Sequence, residues 1–377
     1  MPVYERDLHM MGRRRAATSM QSNRGIRGSS RKRDYLFAKF LSRNPVPWLL
    51  SAEDAATTTF VQRDLLGEKV DVQKLWDLPE PRRLLGRQQA NGAWRYPVKK
   101  PPPQNYDLYQ TFVTLGELVN KYGFDRRHPA VERAAQYVFS CQTPVGDLRG
   151  IYGNQPAHTY TPALMEVLIE AGYGEHPAIE RAFRWLLATR QDDGGWAIPT
   201  RTLDMKLVRD WDKITSGPEI TADPTRPFSH LVTGMVLRAF TAHPRYRKTG
   251  EAIRAGELLK SRLFKSDKYP DRKGAAYWFK FTYPFQFTDL LTALDSLGKL
   301  GFSASDPDIA RAIGWFRDNQ KSDGSFALTM CRGIGDKRLP LWLGLALCRA
   351  LLRFRAGKRL EACRPCQRLR SDRNRCP

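Results

Sequence analysis

The sequence predicts an all-α fold built from stacked helical hairpins. The main observation is a unit that recurs along the chain: a Gly with an aromatic neighbour, then His-Pro or Asp-Pro, a helix-like run, and finally Gln and Gly. The clearest copies begin at Gly123, Gly172 and Gly301. Apolar residues between the Pro and the Gln fall at helical spacing. Each copy is too small to bury its own apolar face, so the copies are expected to stack on one another.

The residues that separate the helices have a physical role in every copy. Pro suits the first turn of a helix, and a His or Asp just before it can accept a hydrogen bond from an unpaired backbone N–H. We therefore expect the side chains before each Pro to cap helices and not to catalyse: His128, His176, His243 and Asp306.

The elements follow in order along the chain. A first helix is predicted at 51–66, a second at 72–89 that Pro79 and Pro81 must interrupt, and an extended connector at 98–103. Two alternating helix sets come next. One set covers 106–122, 158–171, 228–242, 285–300 and 338–354, and the other covers 129–141, 177–190, 249–264 and 307–320.

Two alternating sets can close into a ring, with one set inside and the other outside. The second set carries charge on its exposed side, for example Glu132 and Arg181, so we place it outside. Inserts at 197–227 and 265–284 break the period. Long inserts at repeat junctions often cover a binding face.

The segment from Arg181 to Trp196, which ends Gln-Asp-Asp-Gly-Gly-Trp, carries a family resemblance. It resembles the Gln-Trp repeat of squalene-type terpene cyclases and of the related protein prenyltransferases, which share an α/α toroid. Weaker copies are Gln89 to Trp94, Gln142 to Gly146 and Gln320 to Phe326. Because each copy packs on its neighbours, we expect one toroid repeat domain at 35–352, and the resemblance covers roughly 45–352 of it. The resemblance implies that the Gln caps neighbouring helix ends and that the Trp stacks beside it. It also implies a central apolar cavity for an isoprenoid or other lipid-like ligand.

The catalytic signatures of that superfamily do not carry over. The chain has no Asp-x-Asp-Asp, the motif with which squalene-type cyclases protonate an alkene, and no Asp-x-Cys, part of the prenyltransferase zinc site. Whether the protein is an enzyme stays open. Two alternatives to a terpene cyclase-like or prenyltransferase-like protein remain, a carbohydrate-active α/α barrel (a glycoside hydrolase or lyase) and a non-enzymatic scaffold that binds a protein.

A collar of polar and aromatic side chains is predicted where the inner helices begin, at the central mouth of the ring. Its candidate catalytic residues are Asp107, His158, Tyr160, His230 and Asp289. The candidate ligand-cavity residues are Tyr106, Tyr109, Phe228, Trp278, Tyr283 and Phe287, and the last three belong to the densest aromatic stretch of the chain. Aromatic faces of this kind hold an isoprenoid or stack on a sugar. An alternative is that the histidines cap helices and the aromatic residues pack the core.

Charge is concentrated at the ends of the chain. Of the net charge of +23, residues 1–34 contribute +6 and residues 353–377 contribute +7. Such tails cannot bury enough apolar surface to fold, so we expect disorder and at most weak contact with an anionic membrane or nucleic acid. In the first insert, basic side chains can bind a diphosphate or another anion. They are Arg201, Lys206, Arg209 and Arg226.

The remaining expectations concern cofactors, location and assembly. Six scattered cysteines favour a reducing compartment, and no stretch resembles a signal peptide, so we expect a cytoplasmic monomer. We expect no cofactor. Cys363, Cys366 and Cys376 have a spacing that hints at zinc but lack a fourth ligand, so no metal is expected there.

Overall fold

The computed structural model describes residues 37–99, 102–203, 211–331 and 338–355. The basic tail 1–34, nearly all of 353–377, the three C-terminal cysteines, Lys206 and Arg209 lie outside these ranges. In chain order the α-helices are α1 (Val46–Leu50), α2 (Ala55–Asp64), α3 (Pro79–Leu85), α4 (Tyr106–Tyr122), α5 (Pro129–Ser140), α6 (Tyr160–Leu168), α7 (Pro177–Ala188), α8 (Pro199–Thr202), α9 (Trp211–Ser216), α10 (His230–Ala242), α11 (Gly250–Ser261), α12 (Leu290–Lys299), α13 (Pro307–Asp318) and α14 (Leu339–Arg355).

Within the described ranges, the inner helices form a closed ring. Helices α2, α4, α6, α10, α12 and α14 each pack on the next, and α14 packs back on α2. The predicted all-α fold and α/α toroid are therefore confirmed. No described helix combines the length and the apolar composition needed to cross a bilayer.

Burial separates the two layers. All nine residues of α6 are buried, because an inner helix has protein on every side. An outer helix such as α7 buries one face only, which includes Ile179, Phe183 and Leu186. The assignment of the charged helix set to the outside is confirmed, since Glu132 and Arg181 lie on α5 and α7.

Three of the four predicted caps are present. The Nδ1 atoms of His128 and His176 each accept a hydrogen bond from the N–H two residues later, at 3.2 Å. Asp306 accepts from the Asp308 N–H at 3.0 Å. These side chains satisfy N–H groups that a helix start leaves unpaired. The prediction for His243 is wrong, because its Nδ1 accepts from the Arg245 N–H at 3.1 Å in the turn after α10, whereas α11 begins at Gly250 and is capped by Thr249.

The glutamines join one repeat to the next. Gln142 Nε2 donates to Gly146 O at 2.8 Å and to Ala178 O, in the first turn of α7, at 2.7 Å. In the first copy Gln88 makes the equivalent bonds to Gly92 O and Ala130 O. Gln89, the glutamine named in the prediction, has the register of Gln191: their backbone N–H groups bond Ala93 O and Gly195 O, each four residues on. The side-chain bonds that join two repeats are made by Gln88 in this copy.

The last copy closes the ring. Gln320 Nε2 donates to Arg43 O at 3.1 Å, and Arg43 N donates back to Gln320 Oε1 at 2.9 Å.

The turn after Gln142 requires a glycine. Gly146 has a φ of 118°, and a Cβ there would lie 2.5 Å from Arg181 O. Only glycine lets this turn approach the next outer helix so closely.

The two inserts take different paths. The first carries α8 and α9, whereas the second returns to the ring through the short strand β1 (Lys280–Phe281), which pairs in parallel with β2 (Thr329–Met330). Arg201 joins the inserts through a bidentate contact with Asp271, with N···O distances of 2.6 and 2.8 Å. Both side chains are largely buried, so Arg201 is not available for the predicted anion site.

Candidate functional site

Tyrosine rings cluster where the inner helices α4 and α6 begin. Tyr109 meets Tyr160 edge to face, with ring centroids 5.7 Å apart, and Tyr96 meets Tyr106 in the same way at 5.2 Å. Tyr160 also contacts Phe112 at 6.1 Å. Edge-to-face contacts of this kind stabilise an aromatic cluster beyond the area that it buries. Tyr96 also contacts Tyr109, at 6.0 Å, so the predicted cavity residues Tyr106 and Tyr109 lie together with the predicted catalytic residue Tyr160.

A small apolar groove lies beside this cluster, between the loop before α6 and the first insert. Its volume is about 30 Å³. It is lined by Tyr152, Gln155, Pro156, Ile198, Pro199, Thr200, Trp211 and Ile214. Tyr152 contacts both Trp211, at 5.6 Å, and Tyr160, at 5.4 Å. The groove is therefore continuous with the aromatic cluster at the mouth of the ring.

The amide of Gln155 holds the two walls of this groove together. Gln155 Nε2 donates to Ile214 O at 2.6 Å and to Pro218 O at 2.9 Å, and its Oε1 accepts from the Ile220 N–H at 3.0 Å. Because these bonds use both ends of the Gln155 amide, the groove offers a ligand mainly apolar surface.

A second cavity, of about 20 Å³, lies at the ring centre, which is room for about one water molecule. It is lined by Phe112, Val113, Gly116, Asn120, Glu166, Val167, Arg238, Pro284, Phe285 and Gln286. These residues come from α4, α6, α10 and the stretch between β1 and α12. The cavity has a polar side at Arg238 and Glu166 and an apolar side at Phe112 and Val167.

Arg238 and Glu166 form a buried ion pair across that cavity. Arg238 Nε donates to Glu166 Oε1 at 3.1 Å, and Nη2 donates to Glu166 Oε2. Their side chains are 5% and 6% exposed. Arg238 Nη1 is buried and has no hydrogen-bond partner among the described residues.

The stretch between β1 and α12 fills the rest of the centre. Phe285 O accepts from Arg238 Nη2 at 2.9 Å, and the Phe285 ring lies 5.4 Å from the guanidinium carbon. Tyr283 stacks on Trp342 of α14 at 5.6 Å, and its hydroxyl donates to Asn120 O at 3.3 Å. We call residues 282–287 the central segment.

Paired charges surround the centre on the C-terminal turns of the inner helices. Asp295 pairs with Lys299 at 2.8 Å and with Arg353 at 3.0 Å. Burial opposes ionisation of Asp295, but these two cations hold its pKa below the usual range. Each cation in this group therefore has a carboxylate partner.

Glu170 behaves differently from Asp295. Desolvation by the surrounding inner helices and the charge of Glu166 raise its pKa to about 7, against the opposing charges of Lys299 and Arg238. Glu170 is an exposed residue, so solvent screening reduces the energy that accompanies this shift. Glu170 forms no hydrogen bond or ion pair with the described residues that would stabilise its charged form.

The two predicted collar histidines do not line either cavity. His158 lies against Trp185 of the outer helix α7, with ring centroids 4.5 Å apart. His230 stacks on Trp278 of the second insert at 4.7 Å. The prediction that both face a central cavity is wrong, because α6 starts at Tyr160, which leaves His158 in the preceding turn, and the insert covers His230.

Burial favours the neutral form of both histidines. Neither ring nitrogen of His158 has a hydrogen-bond partner among the described residues. Burial lowers the pKa of His158 to about 4 and that of His230 to about 4, the latter against the opposing charge of Asp267, 3.3 Å from His230 Nδ1. Their catalytic roles stay predictions without geometric support.

The two predicted catalytic aspartates hold backbone groups. Asp107 accepts from the Tyr96 N–H at 2.8 Å and from Gln89 Nε2 at 3.2 Å. Asp289 caps α12 by accepting from the Thr292 N–H at 2.8 Å, and burial raises its pKa to about 6. Asp289 Oδ2 is buried without a hydrogen-bond partner in the described ranges. The catalytic role of Asp289 therefore stays a prediction.

The remaining predicted cavity residues are dispersed. Trp278 donates from Nε1 to Lys265 O at 2.9 Å, and Phe287 lies 4.3 Å from the guanidinium carbon of Arg272. Phe228 packs on Gly195, where a Cβ would lie 2.4 Å from Phe228 Cβ. Tyr283 lies at the ring centre, but as part of the central segment and not as an open wall.

Sequence reasoning missed the central pair. A signal was present, because Glu166 and Arg238 are lone charges within the apolar runs of α6 and α10. A charge inside a helix that is buried on all sides needs an opposite charge nearby. Two such helices next to each other therefore indicate a buried ion pair at the centre.

The ring of paired helices defines the class of this protein, an α/α toroid. Residues 106–222 match the family model of the squalene-hopene cyclase C-terminal domain, which confirms the predicted resemblance to the terpene cyclase superfamily. No curated protein sequence matches the chain.

Solved structures similar to this chain include a type II terpene cyclase, MstE from Scytonema. One MstE structure, in complex with the substrate geranylgeranyl dihydroxybenzoate, has 13% identity and a TM-score of 0.41 over 87% of this chain and 100% of that one. A second, in complex with the product merosterolic acid A, has 12% identity and a TM-score of 0.40 over 86% and 98%. A protein from Actinoplanes has 16% identity and a TM-score of 0.30 over 75% and 99%.

Proposed function

We propose that the ring binds an apolar, isoprenoid-like ligand that enters at the aromatic mouth and reaches the centre. The observation that carries this proposal is a continuous path of aromatic rings. Tyr152 lines the groove and contacts Tyr160, and Tyr160 contacts Phe112, which lines the central cavity. Aromatic and aliphatic walls of this kind gain free energy when they cover an apolar chain.

The ligand has to displace part of the protein. Cavities of about 30 and 20 Å³ hold a few water molecules between them and not an isoprenoid chain. The residues that fill the centre are Pro284, Phe285 and Gln286, which lie between β1 and α12 and not in an inner helix. Gly116 faces Pro284 with no side chain of its own, at 3.9 Å from the position of a Cβ. Withdrawal of the central segment therefore opens the centre without moving the ring.

The proposed role is binding. The chain lacks the Asp-x-Asp-Asp acid of squalene-type cyclases. The predicted acids Asp107 and Asp289 accept hydrogen bonds from backbone N–H groups. The described geometry places no second carboxylate beside either of them, so nothing favours a glycoside hydrolase or lyase over a binding protein.

Calorimetric titration with farnesol tests the proposal. We expect saturable binding to the wild type and roughly tenfold weaker binding to Tyr152→Ala, because the variant loses the ring that joins the groove to the mouth. Tyr137→Ala is the matched control, since Tyr137 is a half-buried tyrosine of α5 whose hydroxyl bonds Asn105 and which lines neither cavity. Equal losses in both variants, or no binding to the wild type, would contradict the proposal.

A second candidate function is favoured by the filled centre. If the central segment is permanent core, the ring is a scaffold that binds a protein on its surface. In that case farnesol does not bind, and the amides of residues 282–287 exchange with solvent as slowly as those of the inner helices. The predicted monomeric state, cytoplasmic location and weak tail contacts stay predictions.

A further inference from the structure

The ring centre has a donor that the protein does not use. Arg238 is 4% exposed, and three of its possible contacts are made, to the two oxygens of Glu166 and to Phe285 O. Its Nη1 is buried without a partner in the described part of the chain, and Arg238 lines the central cavity. A buried N–H group without an acceptor is costly, so this position favours an incoming acceptor.

The charges around this donor are already balanced. Arg238 is paired with Glu166, and Lys299 and Arg353 are paired with Asp295. Glu170 adds a further carboxylate close to the same group. A diphosphate or carboxylate would bring negative charge into a buried place where each of these three cations is already paired, and its desolvation would not be compensated. A neutral acceptor needs only the free N–H.

Phe285 of the central segment, which now occupies the centre, supplies a neutral acceptor of this kind. Phe285 places a neutral carbonyl oxygen 2.9 Å from Arg238 Nη2 and an apolar ring 5.4 Å from the guanidinium carbon. The space beside it, about 20 Å³, suits a group of the size of a hydroxyl. The central segment therefore resembles a ligand that combines a neutral oxygen with an apolar body.

We infer that the ring centre is a site for an apolar ligand that ends in a neutral oxygen acceptor, an alcohol or a carbonyl, and that Arg238 recognises this oxygen. The central segment occupies the site until the ligand replaces it. The inference rests on the proposed binding function and adds the chemistry of the ligand's polar end. Arg238 is here a specificity-determining residue that touches the ligand.

The test compares three probes that share one chain: farnesol, farnesene and farnesyl diphosphate. We expect the wild type to bind farnesol at least about tenfold more tightly than farnesene, the ratio that one hydrogen bond to a charged donor gives. Farnesyl diphosphate should bind more weakly than farnesol. In Arg238→Lys the farnesol preference should fall below about threefold, because an ammonium keeps the charge but loses the planar fork of N–H groups.

Arg353→Lys is the matched control, since Arg353 also pairs with a carboxylate of the inner layer but does not line the cavity. It should keep the preference of the wild type. Equal binding of farnesol and farnesene to the wild type would show that only water satisfies Nη1, and preferred binding of the diphosphate would show an anion site. Either result overturns this inference and leaves the binding function standing, whereas failure of all three probes overturns both.

A second variant keeps the test decisive if Arg238→Lys does not fold. Phe285→Ala retains Arg238, Glu166 and the backbone carbonyl but removes the ring that fills the centre. We expect it to bind farnesol about tenfold more tightly than the wild type, because the ligand no longer has to displace that ring. Unchanged or weaker binding would show that Phe285 does not occupy the ligand site.

Discussion

Replacement of Trp196 by Ala should destabilise the ring without any direct effect on the site. Trp196 is 0% exposed, and its Nε1 donates to Leu186 O at 2.7 Å. Loss of a buried Trp side chain costs about 3–5 kcal/mol, and Leu186 O keeps a hydrogen bond from the Thr189 N–H at 3.3 Å. The free energy of unfolding should therefore fall by about 3–5 kcal/mol. Trp196→Phe keeps most of the buried area and should lose about 1–2 kcal/mol.

Urea titration followed by far-ultraviolet circular dichroism measures these losses. Trp94→Ala should show a similar loss, because Trp94 is 3% exposed and donates to Leu84 O at 2.8 Å in the equivalent place. Trp315 is the matched control, a half-buried Trp of the outer helix α13 whose replacement should cost less. A loss below about 1 kcal/mol in Trp196→Ala, together with lost farnesol binding, would refute the structural role of Trp196.

Three further predictions use the same urea titration. His158 has a pKa of about 4 in the folded state against an ordinary 6.5, so the free energy of unfolding should fall as pH falls through this interval. His158→Phe should remove up to about 3 kcal/mol of that loss. An unchanged pH dependence in this variant would contradict the burial of a neutral ring. The pH dependence that Glu170 contributes has the opposite sign, because its folded pKa of about 7 lies above the ordinary 4.5 and stability should fall as pH rises through this interval. Glu170→Gln should remove about 1 kcal/mol of this effect after solvent screening. A variant that is less stable than the wild type at high pH would instead show that the carboxylate makes a favourable contact. Arg201→Ala leaves Asp271 buried and unpaired and should cost about 3–5 kcal/mol, and the double variant with Asp271→Ala should cost less; additive losses would show that the two side chains do not interact.

The repeats were predictable because their signals are local. A Pro after His128 or His176 starts an outer helix, and most of the predicted bounds of the alternating helices agree with the structure within a few residues. The inner helix predicted at 285–300 instead begins at Leu290, so Phe285 and Phe287 precede it. The predicted helix at 72–89 is instead a 3-10 helix, Val72–Asp77, followed by α3, because Pro79 begins a new helix. In the first copy two adjacent glutamines made the register ambiguous, and only the contacts of Gln88 and Gln89 distinguish them.

The site was less predictable because it depends on long-range packing. The aromatic stretch from Trp278 to Phe287 has the same composition whether it lines a cavity or fills one, and its path into the ring follows no period. The direction of His158 depends on the residue at which α6 starts, since one residue rotates a helical side chain by about 100°. Glu166 and Arg238 lie 72 positions apart in the chain, so their pairing follows only from the closed ring.

The crystal structure of the protein in complex with farnesol tests the central claim most directly. The account predicts that the farnesol oxygen lies within hydrogen-bond distance of Arg238 Nη1 or Nη2, that the chain follows Phe112 and Tyr160 towards Tyr152, and that Pro284, Phe285 and Gln286 have left the centre. A complex in which Phe285 O still accepts from Arg238, with farnesol bound elsewhere, would contradict it.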